Sequence, residues 1–270
     1  MSEFSLEAIE QSGYRREGFA DLYDAYRPAP PAVLLDTLSS YAGGRLRRVV
    51  DLGSGTGLST RVWGPRAEEV VGVEANPAML AVAEKRPSPP NVTYVEGFGD
   101  ETGLPDRSAD LITCSQSLHW MNREATITEA ARLLRPRGVF AAYDYDLPPV
   151  VHPEVDAAFA DHQRLRRHFR DKHAIAAGWT RRPKREHLDR IRESGRFRFA
   201  REFVLHDEAV VGIDEVIGLA RSLGLVPELR ALGVTDEELG LVRLEETARR
   251  VLAGRRVRWL IGYRVRLGVK

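Results

Sequence analysis

The sequence has little of what cross-links, anchors or electrostatically steers a protein. Its 270 residues include one cysteine, Cys114, so an intramolecular disulfide is excluded and a reducing compartment fits. No apolar run approaches the ~18 residues that a membrane span needs, and the N-terminal MSEFSLEAIEQSGYRRE has acids where a signal peptide has basic residues. The 40 basic residues almost balance the 39 acidic ones, so no net field attracts nucleic acid or membrane. We therefore expect a cytoplasmic globular protein.

What the sequence does contain is an alternation of short apolar runs and helical patterns. Runs rich in β-branched residues and bounded by Gly, Pro or Asp predict buried strands at 47–52, 69–74, 92–95, 109–114 and 138–144. Helical composition lies between them at 77–86 and 122–134, and 133–138 is typical of a helix end followed by a turn. This alternation predicts an α/β, Rossmann-like parallel sheet with helices on both faces, whose ligands bind at the carboxyl ends of the strands.

The rest of the chain completes this sheet and covers it. Residues 198–206 and 257–269 predict the last two strands, with helices at 213–223 and 235–252. A proline-rich linker at 144–155 precedes an amphipathic helix with Val155, Phe159 and Leu165 inward. We predict a single domain with its core in residues 30–145, 197–206 and 257–270. A helical cap of residues 146–196 and 207–256 would choose the substrate, and residues 15–27 would form an N-terminal lid helix.

The turn after the first strand, VVDLGSGTGLSTRVW, is the strongest ligand signal. Gly53, Gly55 and Gly57 let the backbone approach a ligand closely, and the following helix start offers free amide groups. Glu74 ends the second strand 21 residues after Gly53, where an acid can accept hydrogen bonds from both hydroxyls of a ribose. Together they favour a nucleotide-type ligand over a plain tight turn.

Two such ligands fit this geometry, a dinucleotide and S-adenosylmethionine. The dinucleotide pattern G-x-G-x-x-G requires a small residue where Leu58 stands, and the third glycine comes one place early. Asp51 precedes the loop, and an acid there suits a cationic ammonium or sulfonium better than a pyrophosphate, which it would repel. The residues therefore favour S-adenosylmethionine over NAD.

Four segments together resemble the motifs of the class I S-adenosylmethionine-dependent methyltransferases. They are VVDLGSGTGLST, VVGVEANPAML, EGFGDETGLPDRSADLIT and LLRPRGVFAAYD, within about residues 15–145. SQSLHW after the fourth strand and DLYDAYRPAPP before the first resemble the branch that includes trans-aconitate methyltransferase. The resemblance implies a seven-stranded sheet of order 3-2-1-4-5-7-6 with strand 7 antiparallel, and S-adenosylmethionine as cofactor.

The resemblance also implies roles for individual residues of the cofactor site. It places the methionine part of the cofactor at Asp51, Gly53, Ser54 and Gly55 and the ribose at Glu74. It places the adenine near Ala75, Met79, Phe98, Gly99 and Asp100, and the sulfonium near Ser115 and Gln116. Phenylalanine at 98 departs from the small residue usual in the family. Tyr23, Tyr26 and Arg27 would close over the pocket, or would simply pack the first helix on the sheet.

Methyl transfer from a sulfonium requires mostly geometry, so few residues are candidates for chemistry. His119 is our candidate base, because an imidazole of pKa about 6.5 accepts a proton at neutral pH. The alternative is that His119 and Trp120 brace the loop after strand four. The seven histidines and one cysteine show no ligand spacing on a common face, so we predict no metal site.

A basic stretch at 162–201 has 14 Lys and Arg against four acids, an excess that the overall balance hides. It predicts either a solvated cover helix or an attraction for an acidic substrate, with Arg181 and Arg182 beside Trp179 gripping a carboxylate. Nucleic acid is disfavoured because no aromatic stacking platform is evident.

The sequence thus predicts an enzyme that methylates an O, N or C atom of a small, possibly acidic molecule, acting as a monomer or homodimer. A nucleic-acid or protein methyltransferase, a non-catalytic module that senses S-adenosylmethionine, and a dehydrogenase are the alternatives. A polymer methyltransferase would bind its substrate with an affinity that falls steeply as salt rises. A sensing module would bind the cofactor without turnover, and a dehydrogenase would bind NAD.

Overall fold

The computed structural model describes residues 16–175 and 182–270. Within them a seven-stranded sheet has the order β3-β2-β1-β4-β5-β7-β6. Strands β1 to β5 are parallel, and β7 is antiparallel to both β5 and β6. The strands are β1 Leu46–Leu52, β2 Ala67–Glu74, β3 Val92–Glu96, β4 Ala109–Ser115, β5 Leu134–Tyr145, β6 Phe199–Val211 and β7 Val257–Val269. The predicted fold class, strand order and antiparallel seventh strand are confirmed.

Helices cover both faces of this sheet. They are α1 Phe19–Tyr26, α2 Ala32–Tyr41, α3 Leu58–Arg61, α4 Pro77–Lys85, α5 Arg123–Leu133, α6 Pro153–Lys172, α7 His187–Glu193, α8 Ile213–Arg221, α9 Val226–Ala231 and α10 Leu241–Leu252. Short 3-10 helices occupy Gly64–Arg66, Leu118–Trp120 and Lys184–Glu186. None of the helices in these described ranges is long and apolar enough to cross a membrane.

The core has two apolar layers, because alternate residues of each strand point to opposite faces. Val49 belongs to one buried cluster and Val50 to the other, and Leu111 and Ile112 in β4 divide in the same way. The first cluster also contains buried residues of α2, α6, α8, α9 and α10, whereas α5 and Ile191 of α7 contribute to the second. Cys114 in β4 is 1% exposed. Burial raises the pKa of its thiol.

Three predicted boundaries are wrong for identifiable backbone reasons. The turn predicted at 133–138 is an irregularity inside β5, which begins at Leu134 and shifts register against β4, with Arg137 at φ 68°. The helix predicted from residue 235 begins at Leu241, because Gly240 takes φ 69° at its N-cap. β6 continues to Val211 rather than ending at residue 206. The division into core and cap stays a prediction, with α10 packed on α6 and α8.

Candidate active site

The loop after β1 has a shape that requires glycine. Gly53 has φ 69°, and a Cβ built on it would lie 2.6 Å from both Ser117 Cβ and Met121 Cε. The amides of Gly53 and Ser54 donate to the Val73 carbonyl at 2.8 and 3.1 Å. The loop is therefore tied to the end of β2 and leaves no room there for a side chain.

Asp51 lies at the end of β1, beneath this loop, and is 0% exposed. Its Oδ2 accepts hydrogen bonds from Ser59 Oγ at 2.6 Å and Thr60 Oγ1 at 2.8 Å, and its Oδ1 accepts one from Thr113 Oγ1 at 2.7 Å. Burial raises the pKa of the Asp51 carboxyl, and the three hydroxyls partly oppose that rise. The carboxyl thus joins β1, α3 and β4, while its predicted contact with the cofactor's amino group stays a prediction.

Glu74 lies at the end of β2, against the same loop. Its Oε2 accepts a hydrogen bond from the Gly55 amide at 2.7 Å, and its Oε1 accepts one from the Asn76 amide at 2.8 Å. Burial raises the pKa of the Glu74 carboxyl, while backbone donors, Asn76 first and then Gly55, work against the rise. The predicted ribose-binding acid therefore touches the loop directly.

The residues predicted around the adenine follow from there. Ala75 is half-buried beside Glu74, and Met79 on α4 is 4% exposed. The Met79 Cε lies 3.6 Å from where a Cβ on Gly55 would be. Met79 therefore packs against the underside of the glycine loop.

The segment after β3 approaches the loop through Met121. Phe98 forms a short antiparallel bridge with Glu101. A Cβ on Gly99 would lie 2.9 Å from Met121 Sδ, whose side chain also abuts Gly53. Gly99 is buried, and Phe98 and Asp100 are half-buried. Met121 is a contact that sequence reasoning missed.

A pocket that is partly open to solvent lies at the carboxyl ends of β1, β4 and β5. It brings together seven of the predicted residues, namely Gly53, Ser54, Gly55, Ser115, Gln116, Tyr23 and Arg27. Its wall also contains residues that the sequence did not single out for it, namely Pro28, Pro30, Leu58, Ser59 and Tyr145. The other predicted residues that belong to the described ranges are not part of this wall. The signal for Tyr145 was its place at the end of a buried strand.

The predicted lid residues divide between two surfaces. Tyr23 and Arg27 line the pocket, and the Arg27 guanidinium lies 4.7 Å from the Tyr23 ring centre. Arg27 also donates to the Tyr145 hydroxyl and, at 2.8 Å, to the Ser222 carbonyl. Tyr26 instead packs on α8, where a Cβ on Gly218 would lie 2.1 Å from its ring. One helix thus serves both as pocket wall and as a packing element.

A buried charge network lies behind Gln116. Lys184 Nζ donates to Gln116 Oε1 at 2.8 Å and lies 2.6 Å from Asp144 Oδ1. Arg266 donates to Asp144 Oδ2 at 3.0 Å, and both Arg266 and Asp144 are buried. Gln116 takes φ 55°, an uncommon conformation for a residue with a side chain. The network joins the end of β4 to β5, β7 and the segment before α7, and sequence reasoning missed Asp144 and Lys184.

His119 is 1% exposed and lies beside that network. Its Nδ1 is 3.7 Å from Asp144 Oδ1, and its ring centre is 5.3 Å from that of Trp120. The Arg182 amide donates to the His119 carbonyl at 3.1 Å. His119 is outside the pocket wall, and both roles considered for it, base and brace, stay predictions.

His187 stacks on His119 with ring centres 6.3 Å apart. It is 0% exposed, and neither of its ring nitrogens has a hydrogen-bond partner within the described ranges. Burial, reinforced by nearby Arg266 and opposed by Asp144, lowers the pKa of His187 to about 4, so the ring is neutral at pH 7. The side-chain ligand atoms of His119, Asp144 and His187 lie within 4.8 Å of one another. Both Asp144 oxygens already face cations, which disfavours a metal ion, and the absence of a metal site stays a prediction.

The remaining predicted substrate residues come from the basic stretch. Trp179 and Arg181 lie outside the described residues. Arg182 is half-buried next to the His119 loop. The structure therefore places one of the two candidate arginines, and places it near the buried network.

Comparisons with known proteins agree with this geometry. Residues 50–142, from β1 into β5, match the family model described as a methyltransferase domain. A candidate S-adenosylmethionine-dependent methyltransferase of Saccharomyces cerevisiae, CRG1, is 30% identical over 149 residues, covering 53% of this chain and 51% of that protein. The malonyl-[acyl-carrier protein] O-methyltransferase of Serratia marcescens is 31% identical over 134 residues, covering 49% of this chain and 51% of that protein. The chain thus spans about half the length of these curated relatives.

A solved structure extends the likeness over most of the chain. A candidate type II methyltransferase from Anaeromyxobacter dehalogenans superposes with a TM-score of 0.67 at 27% identity, covering 90% of this chain and 98% of that one. By sequence over residues 50–142 and by fold over most of its length, the chain is therefore similar to S-adenosylmethionine-dependent methyltransferases. The trans-aconitate methyltransferase-like branch stays a prediction.

Proposed function

We propose that this chain transfers a methyl group from S-adenosylmethionine to an O, N or C atom of a small acceptor that carries an acidic group. The observation that supports this best is the pocket wall, in which the loop Gly53–Gly55 faces Ser115, Gln116 and Tyr145. One side of this pocket belongs to the predicted cofactor loop and the other to the strand ends where acceptors bind in open α/β sheets.

The residues of the predicted cofactor site fit the ligand. Each oxygen of Glu74 accepts one amide hydrogen bond, and a carboxylate has about four acceptor positions, so both oxygens can also accept from ribose hydroxyls. Gly55 has φ 58° and lies in the pocket wall, where its backbone has no side chain to keep a ligand away. When bound, the cofactor supplies a methyl group on a cationic sulfur.

The chain's own contribution to the reaction is mainly positional. The pocket wall and α1 hold the two reactants together and exclude water, and alignment of that kind contributes up to about 7–11 kcal/mol to the barrier reduction. His119 is the candidate general base, and bracing of the loop is its alternative role. Its burial favours bracing, since a base has to reach the acceptor.

An acidic acceptor is supported by charge at the pocket. Arg27 lines the wall, and its guanidinium also donates to the Tyr145 hydroxyl and to the Ser222 carbonyl. A carboxylate entering the pocket would therefore meet a cation. The Serratia marcescens relative is by name an O-methyltransferase of a malonyl group, which ends in a carboxyl. Arg182 and the basic stretch around it would add attraction from outside.

The experiment is a calorimetric titration of the full chain with S-adenosylmethionine, S-adenosylhomocysteine and NAD. We expect saturable binding of the first two and none of NAD. Glu74→Ala should weaken S-adenosylhomocysteine binding by more than about 1 kcal/mol, because ribose hydroxyls lose their acceptor. Glu96→Ala is the matched control, since Glu96 is the register partner of Glu74 at the end of β3. Equal affinities for the two variants would overturn the ribose assignment, and silence from both adenosyl ligands would overturn the function.

Turnover is then measured as S-adenosylhomocysteine formed with a panel of mono- and dicarboxylic acids, phenols and amines. Methylation of carboxylic acids supports the acidic acceptor. Turnover confined to amines or phenols would contradict it. Turnover on RNA or a protein, with affinity that falls steeply as salt rises, would favour a polymer substrate, and binding without any turnover would favour a sensing module.

A further inference from the structure

β6 is the last strand of the sheet and has one free edge. It pairs with β7 along all 13 of its residues, from Phe199 opposite Val269 to Val211 opposite Val257, without a register shift. Within residues 16–175 and 182–270 no strand pairs with the other edge. An edge of this length is a template for another strand, and proteins usually protect it with proline, lysine, a bulge or a covering element. β6 contains no proline, lysine or bulge.

β6 carries charged side chains, among them Arg201, Glu202, Asp207 and Glu208, and it also exposes apolar ones. Phe199 is 44% exposed, Val204 42% and Val210 59%. Val204 and Val210 lie on one face of the strand and Phe199 on the other, so a strand paired with this edge would cover apolar surface on both faces.

The charges of β6 suggest what covers it. Arg201 and Asp207 have no ion pair within the described ranges, although Arg201 donates to the Tyr41 hydroxyl at 3.4 Å. Burial raises the pKa of Asp207, as expected of a carboxyl with no cation beside it. Six positions separate the two residues, so their side chains lie on the same face of the strand.

A second copy of β6 would supply the missing partner for both residues. When two copies of a strand pair antiparallel about a two-fold axis at residue n, residue i lies opposite residue 2n − i of the other copy. Backbone N–H and C=O groups point outward only at every second residue, and outward-pointing residues must face each other, so the axis passes through a residue and not between two. An axis at Val204 places Arg201 opposite the second copy's Asp207 and Glu202 opposite its His206. An axis one residue later, at Leu205, would place Glu202 opposite Glu208, which repel.

We propose that two copies of this chain pair through the outer edges of β6, antiparallel, with Val204 on the two-fold axis. The interface is isologous, so each Arg201 meets one Asp207 and each Asp207 meets one Arg201. The apolar side chains of Val204, Phe203 and Leu205 meet at its centre. The sheet would continue across the interface, which lies at the opposite edge from β3 and leaves the mouth of the pocket free.

The test is sedimentation equilibrium of the full chain over a wide concentration range. We expect a dimer of the 30.3 kDa chain that dissociates on dilution. Arg201→Asp and Asp207→Arg should each weaken it by about ten-fold or more, because each variant creates two repelling pairs. The double variant reverses both charges and should recover affinity to within about three-fold of the wild type, since the pairs are attractive again.

Glu208→Arg is the matched control on the same strand. With the axis at Val204, residue 208 faces Ala200, so the variant should leave the dimer unchanged. If the axis were at Leu205 the variant would face Glu202 and tighten the dimer. A monomer at every concentration would overturn the proposal and show that another segment or a different partner covers the edge. A dimer indifferent to both single reversals, or not recovered by the double variant, would overturn it too.

Discussion

Two buried aspartates, one on β1 and one on β5, have their carboxyl groups stabilised by different kinds of neighbour. Asp51 is 0% exposed and is surrounded by three neutral hydroxyls, whereas Asp144 is 4% exposed and lies between two cations, Lys184 and Arg266. Two of the hydroxyls come from α3, within nine residues of Asp51 along the chain, but the cations come from two distant segments. The predicted cofactor side is therefore held mainly by local contacts, and the proposed acceptor side by long-range ones.

This difference has a functional meaning. The hydroxyls of Ser59 and Thr60 lie close to the glycine loop in sequence, so part of the Asp51 environment forms with β1 and α3, while β2 and β4 complete this side of the site. The acceptor side is complete only when β7 and the segment before α7 have docked on β5. We expect the cap and the C-terminal strand to influence the acceptor side more than the cofactor loop.

The largest effect should come from removing the charge of Asp144. Asp144→Asn removes the carboxylate between Lys184 and the buried Arg266 and leaves Arg266 with Glu202 as its remaining ion pair. The loss of unfolding free energy should therefore lie near the lower end of the about 3–5 kcal/mol expected when a buried ion pair is broken. Urea unfolding measures it. Asp146→Asn is the control, because Asp146 is exposed and its ion pair with Arg264 should contribute at most about 1 kcal/mol. Similar losses for the two variants would contradict the view that Asp144 balances buried cations.

Asp51→Asn should cost less, about 2 kcal/mol, because the amide keeps one acceptor but turns a donor towards a hydroxyl. It should also change the pH dependence. Because the pKa of Asp51 is raised in the folded state, its contribution to stability is greatest below the ordinary aspartate pKa of about 3.9 and falls as pH rises through the folded value. The stability of the wild type relative to the variant should therefore fall with increasing pH above about 4.

That pH effect is measured by urea unfolding of both proteins from acid to neutral pH. Thr37→Val, which removes an exposed hydroxyl bonded within α2, serves as the control and should leave the pH profile unaltered. A constant difference between wild type and Asp51→Asn at every pH would contradict the inference that burial dominates this carboxyl.

The smallest effect on stability should follow Lys184→Met. Asp144 keeps Arg266, and the Lys184 side chain is 30% exposed, so the loss should be about 1 kcal/mol. An ammonium can only donate, so Lys184 fixes the side-chain oxygen of Gln116 towards itself. Without it the amide can rotate, and KM for the acceptor should rise by a larger factor than the dissociation constant of S-adenosylhomocysteine, because Gln116 is predicted to lie where the cofactor's sulfur meets the acceptor. Lys184→Arg keeps hydrogen-bond donors at this position and should restore much of the wild-type KM. An equal loss of affinity for the acceptor and for S-adenosylhomocysteine in Lys184→Met would assign Lys184 to general packing.

The sequence predicts the first half of this molecule better than the second. The first five strands and the glycine loop follow from patterns within a few residues, such as VVDLGSGTG, whereas the strand order was implied by the family resemblance. Asp144, Lys184 and Arg266 were not predicted as a group, because they are up to 122 residues apart and each alone resembles a strand-end acid or a surface cation. The end of β6 was missed for a similar reason, since HDEAVV is too charged at its start to indicate a strand until β7 pairs with it. Long-range ion pairs leave no periodic signal in a single sequence.

The burial of Cys114 has a practical consequence. A thiol reacts with maleimides and iodoacetamides as its thiolate, and this thiol is both 1% exposed and raised in pKa. The folded chain therefore behaves towards such reagents as if it had no cysteine. A single cysteine introduced at an exposed position would be the one site to take a fluorophore or spin label, without first mutating the native residue. The same native thiol would react once the sheet opens, so its alkylation rate reports global unfolding in the same sample.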